Sequence, residues 1–108
     1  MWIASTFGFI SIVQHWDQPD TFLVRARVKK DLQLLFDDKR ILEIPSADYR
    51  YRVHVKKQEM ADVLVKMIKD IDYPNFKNEI ATLPEQRDKL SAYHEIWGVM
   101  KDYSEQLK

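Results

Sequence analysis

Short runs of apolar and β-branched residues, two of them alternating with polar residues, predict the strands of this chain. The run from Trp2 to Gln14 is largely apolar on both alternating faces, which predicts a central strand covered on both sides. Residues 21–29 and 49–55 alternate apolar and polar positions and predict two further strands. The brief apolar run from Ile41 to Ile44 predicts either a separate strand or an extended lead-in.

Apolar residues spaced three and four positions apart predict the helices. Residues 32–36 have this spacing over a short stretch, with Asp31 placed to cap the helix. The spacing persists over residues 57–71, which predicts a longer amphipathic helix. A capping-box spacing that begins at Thr82 precedes an apolar stripe over residues 90–107, which predicts a C-terminal helix.

Together these elements predict a two-layer α+β fold in the order β-β-α-β-α-α. Its sheet has three or four mainly antiparallel strands, and the helices cover one face. A length of 108 residues suits one domain, and no repeat, low-complexity tract or linker divides the chain. We therefore expect a single α+β domain over residues 1–108, with the opposite sheet face as its working surface. A symmetric homodimer is a further expectation.

The composition is that of an ordinary globular protein. Apolar residues make up 45% and charged residues 31%, which argues against a disordered or fibrous chain. Since 17 basic residues balance 17 acidic ones, any anion site must be a local patch of basic side chains. The only two glycines, Gly8 and Gly98, cannot form a Walker A loop or a Gly-x-Gly-x-x-Gly fingerprint.

Several kinds of site lack the residues they need. The chain has no cysteine, which excludes thiol chemistry and disulfides and suits a reducing compartment. The three histidines do not have the spacing of a metal site, so we expect no metal and no cofactor. No residue is identified as catalytic. The longest apolar run, Phe7 to Val13, is too short to cross a bilayer and follows no basic segment. We therefore expect a cytoplasmic protein that does not enter membranes.

The most informative pattern is a set of basic residues on the polar sides of two predicted strands. Arg25 and Arg27 alternate with apolar residues on one strand, and Arg50, Arg52 and His54 do so on the other. If these strands are neighbours, the side chains line one sheet face. Guanidinium groups match phosphate and carboxylate oxygens two at a time. The sequence therefore predicts a binding module for a phosphate-containing or other anionic ligand, such as a nucleotide or RNA.

A plainer interpretation of the same arginines is a solvated face neutralised from within the chain. Three nearby carboxylates, those of Glu43, Asp48 and Glu59, are suitable partners. Whether the two strands are neighbours is itself inferred from the pattern. The two interpretations differ in whether the guanidinium groups meet carboxylates or remain available to a ligand.

Lys77 is a further candidate for anion binding. It lies with Asn75 beside Pro74 at a predicted helix start, where backbone N–H groups are free. The alternative is that Tyr73 and Phe76 are apolar anchors that lock a connection between two helices. The segment therefore predicts either an edge of the ligand site or a structural joint.

Trp16 and Leu23 indicate an alternative function in protein–protein interaction. Trp16 stands in a polar connection, where its burial would require a neighbouring subunit or a partner. In this interpretation the chain is a small inhibitor or regulator of a larger protein. A hydrolase or transferase with an unfamiliar site is a third interpretation, because catalytic geometry is not visible in one sequence.

Five segments resemble those of a group of small, uncharacterised bacterial and phage-type proteins. They are Gly8–Val13, Arg25–Val28, Ala47–Arg52, Asp72–Lys77 and Ala92–Trp97. The likeness runs from about Trp2 to Met100, and its most specific piece is Asp-Tyr-Pro-Asn-Phe-Lys. The resemblance implies a compact, stand-alone intracellular protein of microbial type, so that an inhibitor or regulator would be a phage or bacterial one. It implies no activity and no catalytic residue.

Overall fold

A computed structural model describes residues 1–108, which form five strands and four helices. The strands are β1 (Trp2–Ser5), β2 (Gly8–Gln14), β3 (Thr21–Ala26), β4 (Leu42–Glu43) and β5 (Tyr51–Lys56). The helices are α1 (Lys30–Gln33), α2 (Lys57–Lys69), α3 (Phe76–Thr82) and α4 (Leu90–Gln106). All strands belong to one antiparallel sheet in the order β1-β2-β3-β5-β4. The predicted α+β class is confirmed, with five strands instead of three or four.

The chain divides into two compact units, residues 1–72 and residues 73–108. The first contains the sheet, α1 and α2, and the second contains α3 and α4. A single domain over the whole chain therefore stays a prediction. None of the four helices combines the length and the apolar character needed to cross a bilayer.

The core of the first unit lies between one face of the sheet and the helices α1 and α2. Alternate positions of the three central strands point into it, because side chains in a strand alternate between its two faces. The sheet contributes Ile10, Ile12, Val24, Ala26, Val53 and Val55, and the helical side contributes Leu32, Phe36 and Met60. Within this unit, helices cover one sheet face as predicted.

The apolar run from Trp2 to Gln14 forms a hairpin rather than the single central strand predicted. Its chain reverses at residues 6–7, and β1 then pairs antiparallel with β2. Gly8, the first residue of β2, has a φ of 133°, which residues with a side chain rarely adopt. The prediction was wrong because it took the polar residues Ser5 and Thr6, which lie at the reversal, as part of one continuous apolar run.

Both helix caps predicted from the sequence are wrong. Asp31 lies inside α1 and is only 2% exposed, and its Oδ2 accepts a hydrogen bond from the N–H of Phe9 at 3.1 Å. This contact ties α1 to the start of β2. Thr82 ends α3 instead of starting the next helix, and its hydroxyl donates to the carbonyl of Glu79 at 2.8 Å.

The strands that carry the predicted basic residues are neighbours, although both are shorter than predicted. β3 ends at Ala26, and β5 begins at Tyr51. Their antiparallel register places Arg25 directly opposite Arg52 and Leu23 directly opposite His54. The arrangement on which the anion-binding hypothesis depends is therefore present.

Candidate anion-binding site

The sheet face turned away from the α1–α2 core carries the candidate site, and we call it the second face. Ser11, Leu23, Arg25, Arg52 and His54 belong to it, since the register places them on neighbouring strands in matching positions. Directly opposite residues of an antiparallel pair have Cβ atoms about 4.5–5.5 Å apart. The side chains of Arg25 and Arg52, which we call the arginine pair, therefore start from adjacent points.

Neither member of the arginine pair forms an ion pair with a carboxylate. Arg25 donates from Nη2 to the hydroxyl of Ser11 at 3.0 Å, and Arg52 donates from Nη2 to the carbonyl of Tyr49 at 2.8 Å. The Nε of each arginine is buried and has no hydrogen-bond partner. The arginine pair therefore concentrates positive charge that the neighbouring groups do not neutralise. Like charges directly opposite each other destabilise a sheet.

Tyr49 brings a third guanidinium group close to the arginine pair. Its ring centroid lies 4.4 Å from Cζ of Arg25 and 4.2 Å from Cζ of Arg27. The alternation over residues 49–55 predicts that Tyr49 and Tyr51 point the same way, but β5 starts only at Tyr51 and Tyr49 instead meets the guanidinium groups of the second face. Cation–π contacts of this kind orient guanidinium groups while leaving their charge intact.

Arg27 and Arg50 are neutralised by carboxylates of the chain, as the plainer interpretation predicted. Nη2 of Arg27 contacts both carboxylate oxygens of Asp48, at 3.1 and 3.0 Å, and Nε of Arg50 donates to Glu43 at 2.6 Å. Burial is the largest single influence and opposes the charge of Arg27, but the hydrogen bonds and electrostatic attraction of Asp48 and Tyr49 together outweigh it and raise the pKa of Arg27. The hydrogen bond to Glu43 likewise raises the pKa of Arg50. Two of the four predicted arginines are thus paired with carboxylates, and two are not.

Glu59, the third carboxylate considered, binds a different arginine. Arg40 donates to it from Nη1 at 2.6 Å and from Nη2 at 3.0 Å, and this hydrogen bonding lowers the pKa of Glu59. Arg40 also donates to the backbone carbonyl of His54 at 3.1 Å. Arg40 therefore links β5 to α2. Because Glu59 is bound to Arg40, it does not neutralise the arginine pair.

Further along the second face, His54 meets His15 and Trp16 in a group that we call the ring cluster. His54 packs edge-on, with ring centroids 4.8 Å from His15 and 5.8 Å from Trp16. His15 stacks on Trp16 at 3.8 Å with 24° between the ring planes. Nδ1 of His15 accepts hydrogen bonds from the N–H groups of Asp17 and Gln18, both at 3.0 Å, so the neutral ring carries its proton on Nε2.

The sequence interpretation missed His15 and Tyr49 as parts of this face. His15 follows a strand and Tyr49 precedes one, where the alternation of polar and apolar residues no longer indicates direction. His15 is 5% exposed although it follows a polar residue at the end of β2. The continued odd-numbered spacing from Ser11 to His15 was the only signal that could have found it.

The remaining predicted site residues, Leu23, Trp16 and Lys77, differ in exposure and in the unit to which they belong. Leu23 is on the second face but only 5% exposed, whereas Trp16 is 74% exposed. Lys77 belongs to the second unit, where its Nζ lies 3.1 Å from Nδ1 of His94 and 4.5 Å from the ring centroid of Trp97. The partner-binding role of Leu23 and the ligand-binding role of Lys77 stay predictions.

His54 leads us to expect a fall in stability at mildly acidic pH. Burial, followed by repulsion from His15 and Arg52, lowers the pKa of His54 from its ordinary value of 6.5. Below pH 6.5, His54 binds a proton more readily in the unfolded chain than in the folded chain. The stability that depends on a neutral His54 is therefore present above pH 6.5 and is lost as the pH falls. Thermal unfolding between about pH 7.5 and about pH 5 measures this loss.

The matched variant for that measurement is His54→Gln, which removes the titrating ring. We expect the melting temperature of the parent to fall more steeply with decreasing pH than that of the variant. Parallel pH profiles for the two proteins would assign the acid sensitivity to other groups.

Comparisons with known proteins indicate no function for the chain. No protein-family model, no curated protein and no solved structure matches the chain. The structure also brings together no group of three His, Asp or Glu side chains that could hold a metal ion. The resemblance to bacterial and phage-type proteins stays a prediction.

Proposed function

We propose that the chain is a binding module that holds a phosphate-containing or other anionic ligand on the second face of the sheet. The observation that carries the proposal is the direct opposition of Arg25 and Arg52 without a carboxylate partner for either. In the free protein these like charges repel each other. An anion bound between them would relieve the repulsion and accept charge-assisted hydrogen bonds from both guanidinium groups.

The surroundings of the arginine pair support its role as an anchor. The hydroxyl of Ser11 holds one edge of the Arg25 guanidinium group, and the carbonyl of Tyr49 holds one edge of that of Arg52. This positioning reduces the conformational entropy that the two side chains lose on binding. Hydrogen bonds to charged groups contribute about 1.5–3 kcal/mol each. Two such anchors correspond to dissociation constants of roughly millimolar to tens of micromolar for a simple anion.

Arg27 lies beside the site, over the ring of Tyr49, with its charge already paired. Arg50 does not join the arginine pair as predicted, because its guanidinium group contacts Glu43 and Tyr51, which share the core side of the sheet.

Replacing both anchors, Arg25→Gln with Arg52→Gln, is expected to abolish anion binding. The parent and the double variant would be titrated with inorganic phosphate and with pyrophosphate at constant ionic strength. Isothermal titration calorimetry and the ligand-dependent rise in melting temperature would report binding. The parent is expected to be stabilised by millimolar anion, and the double variant is not.

The matched control is Arg27→Gln with Arg50→Gln, which changes the net charge by the same amount. Since both of these arginines already have carboxylate partners, we expect this control to keep its affinity within about threefold of the parent. Equal losses in the two double variants would show a general charge effect and overturn the proposed site. A parent that binds neither anion would overturn the proposed function.

A second candidate function, a protein–protein interaction factor, is favoured by the apolar surface of α4. Five of its large side chains are more than 40% exposed, namely Ile96, Trp97, Val99, Met100 and Tyr103. Apolar side chains exposed together on one helix are typical of surfaces that contact another protein. If no anion stabilises the parent, this function becomes the preferred one.

A further inference from the structure

Trp16 combines high exposure with a fixed position. Its side chain is 74% exposed, yet its indole stacks at 3.8 Å on His15, which is itself only 5% exposed. Two backbone N–H groups fix the imidazole of His15 by donating to its Nδ1. His54 contacts both rings from the side. The ring cluster therefore presents a rigid aromatic surface whose ordering cost is met before any ligand binds.

This aromatic surface lies on the same side of the sheet as the arginine pair, and His54 connects the two. Arg52 and His54 are two residues apart on one face of β5, so their Cα atoms are about 6.8 Å apart along an antiparallel strand. The ring centroid of Trp16 lies 5.8 Å from that of His54. A ligand that reaches both features needs an anionic group and a flat ring separated by a short polar spacer, as a ribose phosphate provides.

We infer that the second face binds a free nucleotide, with its phosphate on the arginine pair and its base stacked on Trp16. The inference rests on the proposed function, because an anion at the arginine pair is what places the base beside the indole. Stacking on an aromatic side chain is tolerant of base identity, since every base has a flat π-face. Binding should therefore depend strongly on the presence of a base and weakly on which base it is.

The charge of the chain favours a free nucleotide over a long nucleic acid. Affinity for long polyanions comes mainly from many basic contacts that release counterions. This chain has a formal net charge of zero, and the guanidinium groups of Arg27 and Arg50 are occupied by Asp48 and Glu43. One phosphate and one base account for the unpaired groups on the face.

The test compares adenosine monophosphate with ribose 5-phosphate, which has the phosphate and the sugar but no base. Calorimetric titration of the parent is expected to give about tenfold tighter binding for the nucleotide, the size of effect that stacking of one base produces. Trp16→Ala is expected to bring the nucleotide down to the affinity of ribose 5-phosphate and to leave ribose 5-phosphate unchanged. Arg25→Gln with Arg52→Gln is expected to lose both ligands.

Trp2→Ala is the matched control. Trp2 is 73% exposed and belongs to the second face, in line with Ser11 and Arg25, but its ring packs on Phe9 and not in the ring cluster. The control variant should keep the preference for the nucleotide, and a loss there instead of in Trp16→Ala would overturn the assignment. Equal affinities of the parent for the two ligands would overturn the base site and leave the anion site standing. A parent that binds neither would remove both proposals. Tighter binding of a trinucleotide than of the mononucleotide would overturn the free-nucleotide assignment.

Discussion

Replacing Gly8 with alanine is expected to lower the free energy of unfolding by about 3 kcal/mol, through backbone strain and overpacking together. The φ of 133° at Gly8 lies outside the range that residues with a side chain readily adopt. The added Cβ would also lie 2.6 Å from Cβ of Asp31. Relief of that clash requires Asp31 to move, which breaks its hydrogen bond to Phe9 and separates α1 from β2.

Urea unfolding followed by far-ultraviolet circular dichroism measures this loss, and Gly98→Ala is the control. Gly98 lies inside α4, and a Cβ added there meets no atom within 4 Å. Alanine at that position is expected to stabilise the helix by up to about 1 kcal/mol. Opposite signs for the two glycines are the expected result, and a neutral Gly8→Ala would contradict the steric account.

The second large effect is expected for Leu32→Ala, at about 3 kcal/mol of lost stability. Leu32 is fully buried against the sheet, so its truncation both removes apolar contact and leaves a cavity. Leu34, two positions further along, is 46% exposed. The same leucine-to-alanine change at Leu34 should cost below about 1 kcal/mol, because less surface is returned to water.

The pair Leu32→Ala and Leu34→Ala tests whether α1 packs on the sheet as described. Equal urea midpoints for the two variants would contradict that packing. Both positions lie outside the second face, so a folded variant is expected to keep the anion affinity of the parent. A Leu32→Ala protein that is folded but has lost anion binding would indicate that the core side and the second face are coupled.

Alternation of apolar and polar residues was sufficient to predict the fold class and the neighbouring strands. Within β3 and β5 the pattern correctly separated a core side from a basic side, but it failed for Tyr49 and Arg50, which precede β5. It failed between Trp2 and Gln14, where the reversal depends on Gly8 and on Asp31, a residue 22 positions beyond Phe9, to which it bonds. Contacts so distant along the chain leave no local periodic signal.

The candidate site was predicted in part for the same reason. Strand alternation placed Arg25 and Arg52 on one face, since that requires only the two faces of each strand. Which arginines remain unpaired depends on where Asp48 and Glu43 lie after folding, and both precede β5 in irregular or very short segments. The ring contact between Trp16 and His54 likewise joins residues that only the folded sheet brings together.

Both outer strands of the sheet are short, and this limits how copies of the chain can associate. β1 has four residues and β4 has two, whereas the three central strands have six or seven. A long unpaired edge is a template onto which another chain can add a strand, and such edges promote fibrillar aggregation. This sheet offers little backbone for strand addition, so any self-association is expected to occur through side-chain surfaces and to end at a closed assembly.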